Sequence, residues 1–220
     1  MAMAAHSGTA MISADYLRAV QYLSPAFPIG GFAYSAGLET AIDQGDVTDA
    51  DTLRGWISAV MCYGSARCDT ILIAHARTGC SADLADLAYA LAPSAERSLE
   101  MREMGRAYAS LMGNLNGAPF AELPFPVSVG HSMRGLDIPT EDILTLWLQG
   151  FAAQMVSVGV RYIPLGQSAG QAVLAGLAPD ILRCAKTAAT ASLDDIATAS
   201  IGADIATMRH ETQAVRIYRT

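Results

Sequence analysis

Asp142-Ile-Leu-Thr-Leu-Trp-Leu-Gln-Gly-Phe-Ala-Ala-Gln-Met-Val-Ser-Val-Gly-Val-Arg161 is the stretch on which the fold turns. The 18 residues between its two charges, Ile143 to Val160, carry no ionisable side chain. That length is borderline for a membrane span. Gln149, Gln154 and Ser157 would be costly in hydrocarbon, and Gly150 and Gly159 add nothing to hold a span there. The run therefore reads as a helix buried in a protein core. Pro139 and Thr140 precede Glu141 and Asp142, which places acids at the positive end of a helix running to about Tyr162.

Outward from this segment the pattern stays helical. Leu53, Trp56, Ile57, Val60 and Met61 follow a three-four rhythm, and Ile71, Leu72 and Ala74 extend one long apolar stretch from Ala50 to Arg77. Asp49 or Asp51 can cap its start. Leu84 to Leu91 gives a short helix closed by Pro93, and Ser94 with Glu96 opens another to about Met112. Gly117, Pro119 and Pro124 mark a loop over Gly113 to Pro126, followed by a short apolar piece, Val127 to Val129. Pro164 stands in the first turn of a helix through Leu177, and Pro179 and Asp180 start one to about Ala191. A last helical segment covers Ala203 to Tyr218. With 40 alanines against 24 valines and isoleucines, and no alternation of strands and helices, the expectation is one all-α multi-helix bundle over residues 14–220. The small-residue stretch 1–13 is expected to be mobile.

Composition narrows the function. The chain has 220 residues, 52% hydrophobic and 16% charged, with a net charge of -7. Average domains carry about 25% charged residues, so apolar surface is in surplus here, for a core or for partners. Thirteen of the 14 basic residues are arginine, and Lys186 is the sole lysine. The acidic balance argues against nucleic-acid binding. Met1 to Thr9 shows no secretory pattern, and Cys62, Cys68, Cys80 and Cys184 have no disulfide or CxxC spacing. They read as free thiols of a reducing cytoplasm.

The search for chemistry yields decoys. Gly30-Gly31 lacks the Gly-Lys-Ser/Thr ending of a phosphate loop. Cys68 and His75 lie about 10 Å apart along a helix, too far to share one ion with Cys62 or Cys80. Gly166-Gln-Ser168-Ala-Gly170 matches a nucleophile elbow, with Asp180, Asp194, Asp195 or Asp204 and then His210 downstream. That elbow needs a strand entering it, which the chain does not offer, so a serine hydrolase is the runner-up. In Asp204–Thr220, Ile205, Met208, Thr212 and Val215 form one helical stripe, and Arg209 and Arg216 another. This segment is either a docked terminal helix or an Arg- and Tyr-bearing partner surface.

Three segments, in order, resemble the UreF family of urease accessory proteins. They are Leu23-Ser-Pro-Ala-Phe-Pro-Ile-Gly-Gly-Phe-Ala-Tyr-Ser-Ala-Gly-Leu-Glu39, Pro164-Leu-Gly-Gln-Ser-Ala-Gly-Gln171, and Asp204-Ile-Ala-Thr-Met-Arg-His-Glu-Thr-Gln213 with Arg216 and Arg219. The resemblance implies an all-α, non-catalytic protein that dimerises and binds the accessory protein UreD, called UreH in some organisms. It implies recruitment and modulation of the GTPase UreG and nickel delivery to apo-urease. The chain itself then holds no cofactor and no resident metal. By motif, the resemblance assigns partner binding to Tyr34, Ser35 and Glu39, to Pro164, Gly166 and Gln167, and to Arg209, His210, Glu211, Gln213, Arg216, Tyr218 and Arg219. Within the first motif the prolines and glycines would shape a turn that Tyr34 or Glu39 fixes or presents.

Overall fold

The computed structural model describes residues 13–79 and 81–220. The expected mobility of residues 1–13 and any role of Cys80 fall outside the described residues, apart from Ser13. Eleven α-helices and no strands appear among the described residues. They are α1 (Ala14–Tyr22), α2 (Leu38–Asp43), α3 (Ala50–Tyr63), α4 (Ser65–Thr78), α5 (Ser81–Ala90), α6 (Ala95–Asn116), α7 (Phe125–Ser132), α8 (Thr140–Tyr162), α9 (Gln167–Gly176), α10 (Ala178–Thr190) and α11 (Ile201–His210). The fold is all-α, as the sequence predicts.

Local chemistry sets most of the boundaries. Ser13, Asp49 and Ser94 each accept a backbone N–H in the first turn of the helix that follows, the usual role of an N-cap. The decisive segment is α8. It is long and apolar enough to cross a membrane, yet it buries Ile143, Leu144, Leu148, Ala152, Met155 and Val156 against other helices. Its neighbours are α10, α9, α4, α2, α3 and α1. The other central element is α4, which buries nine of its 14 residues and packs chiefly on α7, with α3, α8, α10 and α5 around it. Together these helices enclose the main apolar core, which includes Leu38, Ile57, Ile71, Tyr108 and Met133.

Four boundaries differ from the sequence reading, each for a physical reason. The apolar stretch from Ala50 to Arg77 is broken at Gly64 into α3 and α4, bent by 40°. The amides of Ala199 and Ser200 bind the Tyr63 carbonyl at 2.7 and 3.2 Å, which takes it from the helical ladder. A Cβ on Gly64 would lie 3.0 Å from Ser200 Cβ. Second, α6 runs on to Asn116, and the piece around Val127 is itself a helix, α7, started by Pro124 and Pro126. Third, Pro164 precedes α9 instead of lying in it. Ile163 is held extended before the proline (φ -94°, ψ 145°), and α9 starts at Gln167. Fourth, the last helix ends at His210 and residues 211–220 leave it as an irregular strap.

The α4–α7 crossing depends on glycine. A Cβ on Gly130 of α7 would stand 2.4 Å from the Ile73 carbonyl oxygen and 2.7 Å from Ala76 Cβ of α4. We expect Gly130→Ala to lower the free energy of unfolding by about 1–3 kcal/mol through overpacking. Gly55→Ala, in α3 where a Cβ meets nothing within 4 Å, should raise it by about 0.5–1 kcal/mol. Urea unfolding of the two variants checks the pair, and equal effects would refute the close α4–α7 crossing.

Candidate functional site

The first and third motifs meet. Residues 23–37 form a compact turn: Gly30 and Gly37 adopt left-handed φ values of 77° and 78°. Gln154 of α8 donates through Nε2 to the carbonyls of Gly31 and of Tyr34, the latter at 3.1 Å. Gly37 has a second reason to be glycine, because its Cβ would lie 2.8 Å from Thr207 Oγ1 of α11. This close approach brings α2 against α11 and under the strap.

The side chain at the centre is Glu39 of α2, 2% exposed. Its carboxylate accepts from Tyr162 Oη (2.7 Å), from the backbone amides of Ile217 (2.8 Å) and Tyr218 (2.9 Å), and lies 3.2 Å from His210 Nε2. Burial pushes its pKa up, but these hydrogen bonds outweigh burial and hold the carboxyl below the usual glutamate value. The Tyr162 phenol is pushed up, first by burial and then by Glu39. The Tyr162 and Tyr218 rings lie 5.7 Å apart.

From Glu39 the network runs to α6. His210 Nδ1 lies 2.6 Å from Glu96 Oε2, and Arg216 Nη1 donates to Glu96 Oε1 at 2.6 Å. Glu211 Oε1 accepts the Ala95 amide at 2.7 Å, at the positive N-terminus of α6. Next to Glu96, buried Arg97 pairs with Asp69 of α4 and with Glu100 (2.6 Å), and Thr220 Oγ1 donates to Glu100 at 3.2 Å. Burial pushes Asp69 and Glu100 up while Arg97 opposes the shift. The strap closes where Ser35 donates its amide (2.9 Å) and its hydroxyl to the Thr220 carbonyl, and Arg219 N donates to the Ala33 carbonyl at 2.8 Å. Thr40 donates to Gln213 at 2.8 Å. The Arg219 guanidinium lies 5.9 Å from the centre of the Tyr34 ring.

The predicted site residues therefore divide. Tyr34, Ser35, Glu39, His210 and Tyr218 are buried inside this clasp. Arg209, Glu211, Arg216 and Arg219 are exposed, and Gln213 is half-buried. Arg209 and Arg216 do not share a helix face: Arg209 donates to Gln44 and Arg216 to Glu96. Pro164, Gly166 and Gln167 are exposed on the turn into α9 and make none of the clasp's contacts. Gly170 rather than Gly166 provides close packing, its Cβ position lying 2.5 Å from Val160 Cγ2. Ser168 sits in the first turn of α9 with no strand before it, and His210 is enclosed by two glutamates, so the elbow geometry is absent. His75 Nε2 lies 2.9 Å from the Ala191 carbonyl, and among the described residues no three His, Cys, Asp or Glu side chains converge on a metal position.

Sequence reasoning missed Asp69, Glu96, Arg97, Glu100 and Tyr162. The one available signal was Asp69, an acid inside the otherwise buried face of α4.

An all-helical domain that folds its own C-terminal strap over a buried carboxylate defines the class. The sequence pattern of the UreF family matches residues 47–178. A Cereibacter sphaeroides protein is 50% identical over 210 residues, covering 95% of this chain and 100% of that protein. A Paracoccus denitrificans protein is 48% identical over 206 residues (93% and 95%), and a Bradyrhizobium protein 39% identical over 233 (98% and 97%). All three bear the name urease accessory protein UreF. The chain belongs to the UreF family of urease accessory proteins.

Glu39→Ala would leave the Tyr162 hydroxyl and two strap amides without their acceptor, each loss costing about 1–3 kcal/mol. We expect at least about 3 kcal/mol of lost stability and fast hydrogen exchange at Ile217 and Tyr218. The pH sign follows from the lowered carboxyl. Its contribution is complete above the ordinary glutamate value near about 4.3 and fades as pH falls through the lower folded value. In the wild type, exchange at these two amides, corrected for its intrinsic pH dependence, should therefore quicken only in acid. Protection of both amides in a folded Glu39→Ala protein would refute this role.

Proposed function

We propose that this chain is a non-catalytic scaffold of urease maturation. It binds UreD (UreH) through its C-terminal segment, recruits and modulates the GTPase UreG, and with them delivers nickel to apo-urease. It works as a homodimer in the cytoplasm, and nickel is cargo of the assembly.

The observation that carries this reading is where the exposed apolar surface lies. Five of the thirteen large apolar side chains exposed among the described residues fall between positions 201 and 217: Ile201, Ile205, Met208, Val215 and Ile217. Val215 and Ile217 are 78% and 75% exposed, although the backbone between and beyond them is fixed by Glu39, Ser35 and Ala33. An anchored strap that turns apolar side chains to solvent, with Arg209, Arg216 and Arg219 beside them, has the composition of a binding surface. Pre-ordering also spares a partner the entropy of fixing the segment. The five buried residues of the motifs position this surface, and the exposed ones touch the partner. The exposed turn of Pro164, Gly166 and Gln167 supplies a second contact region.

Co-expression and pull-down with UreD, UreG and apo-urease tests this. Wild-type chain should retain all three. Combined Val215→Asp and Ile217→Asp, at positions that carry no core packing, should weaken UreD retention by about tenfold or more, which is ~1.4 kcal/mol, with an unchanged helical circular dichroism spectrum. Full retention by that folded variant would overturn the assignment of the surface.

A further inference from the structure

A polar cluster outside the clasp lies where α3, α4 and α10 meet. Cys62 near the end of α3 and Cys184 of α10 lie within hydrogen-bonding reach of each other. Both line a small cleft whose other walls include Arg67 and Thr70 of α4 and Arg183 and Thr187 of α10. Arg183 Nη2 donates to Cys62 Sγ at 3.3 Å and to Asp180 Oδ1 at 2.6 Å, and Ser58 donates to Asp180 Oδ2 at 2.8 Å. The guanidinium is thus held against the sulfur by a carboxylate that is itself held. Neither thiol is in a disulfide.

Both thiols are buried, yet a guanidinium against the sulfur is the setting that favours a thiolate. A hydrogen bond from Cys184 and the charge and hydrogen bond of Arg183 bring the Cys62 thiol down to about 6, against the opposing effect of burial. Cys184 is pushed up because it keeps its proton for Cys62. The charged groups facing the pair are Arg183 and Asp180 from α10 and Arg67 from α4. Cys68, one turn into α4 and buried without a hydrogen-bonding cation, is pushed up to about 11 by burial and serves as an internal control. A guanidinium against the sulfur disfavours a bound metal cation and favours an anionic nucleophile.

We propose that Cys62 and Cys184 are a hydroperoxide-reactive dithiol in which Cys62 is oxidised first and Cys184 closes a disulfide that ties α3 to α10. The Cys62 thiolate attacks one peroxide oxygen, the O–O bond breaks, and hydroxide leaves and takes up a proton as water. With the Cys62 charge gone, Cys184 no longer has an anion to hold its proton. It loses that proton, attacks the Cys62 sulfur, and the S–O bond breaks to release a second water. Two thiols and one hydrogen peroxide give one disulfide and two waters, and the two sulfurs supply both electrons.

The test uses the full chain, purified reduced and treated with hydrogen peroxide, with tryptic mass mapping. We expect a Cys62–Cys184 cross-linked peptide, reversed by dithiothreitol, with Cys68 still reduced. Cys184→Ser should stop at the Cys62 sulfenic acid, trapped by dimedone. Iodoacetamide labelling of Cys62 should rise with a midpoint near pH 6. Arg183→Gln, at an exposed position, should slow labelling at pH 7 by about tenfold and move the midpoint toward the ordinary value of about 8.5. A wild-type midpoint near the ordinary value, or peroxide treatment that yields no Cys62–Cys184 link, would overturn the proposal.

Discussion

The structure depends on one buried carboxylate with four partners. Glu39 is placed by a six-residue helix too short to be stable by itself. It takes hydrogen bonds from residues 123 to 179 positions away. A buried charge is tolerable only when its lone pairs are filled, and here no single element can fill them. Helix α8 brings Tyr162, α11 brings His210 and the strap brings two amides. The charge is satisfied only when all three are in place, so the clasp is cooperative by construction. A strap held by apolar contacts alone could slide. One held by two consecutive amides on one carboxylate has a fixed register.

The same constraint explains why α11 stops where it does. Ile205, Met208, Thr212 and Val215 have the spacing of a helix stripe, and continued helix would satisfy the amides of residues 211–218 locally. The long-range acceptors compete for those amides: Glu39 for Ile217 and Tyr218, and the Ala33 carbonyl for Arg219. They win because buried Glu39 would otherwise lose two of its four partners and buried Ser35 its acceptor on Thr220, a larger penalty than loss of two helical turns at a solvent-exposed end. Glu211 adds to the balance by capping α6 in place of continuing α11.

Local signals account for what was legible. Helix α8 was bounded correctly because Pro139 and the first-turn acids start it and Pro164 ends it, and these act over a few residues. The break at Gly64 was not legible because its cause, the capture of the Tyr63 carbonyl by Ala199 and Ser200, lies more than 130 positions away. Likewise, the motif residues Tyr34, Ser35, Glu39 and Arg209 to Arg219 were identified as two separate segments. That they form one cluster depends on Glu96, Arg97 and Tyr162, which no local pattern distinguishes from ordinary helix-surface charge or a helix-end aromatic.

The surplus of apolar residues thus has two destinations. Most of it fills the core around α4 and α8, where Leu53, Ile71, Ile143 and Leu144 are fully buried. Of the thirteen large apolar side chains left exposed among the described residues, five lie together on α11 and the strap. Random surface exposure would scatter such residues. Concentration on the one segment whose backbone is tied down by a buried ionic network means that stability has been spent on holding apolar side chains in water. A chain acting alone would gain by letting this segment continue as helix or turn its apolar stripe inward. Fixing it outward is favourable only when a second surface covers it, and that asymmetry is the physical argument for the proposed partner surface.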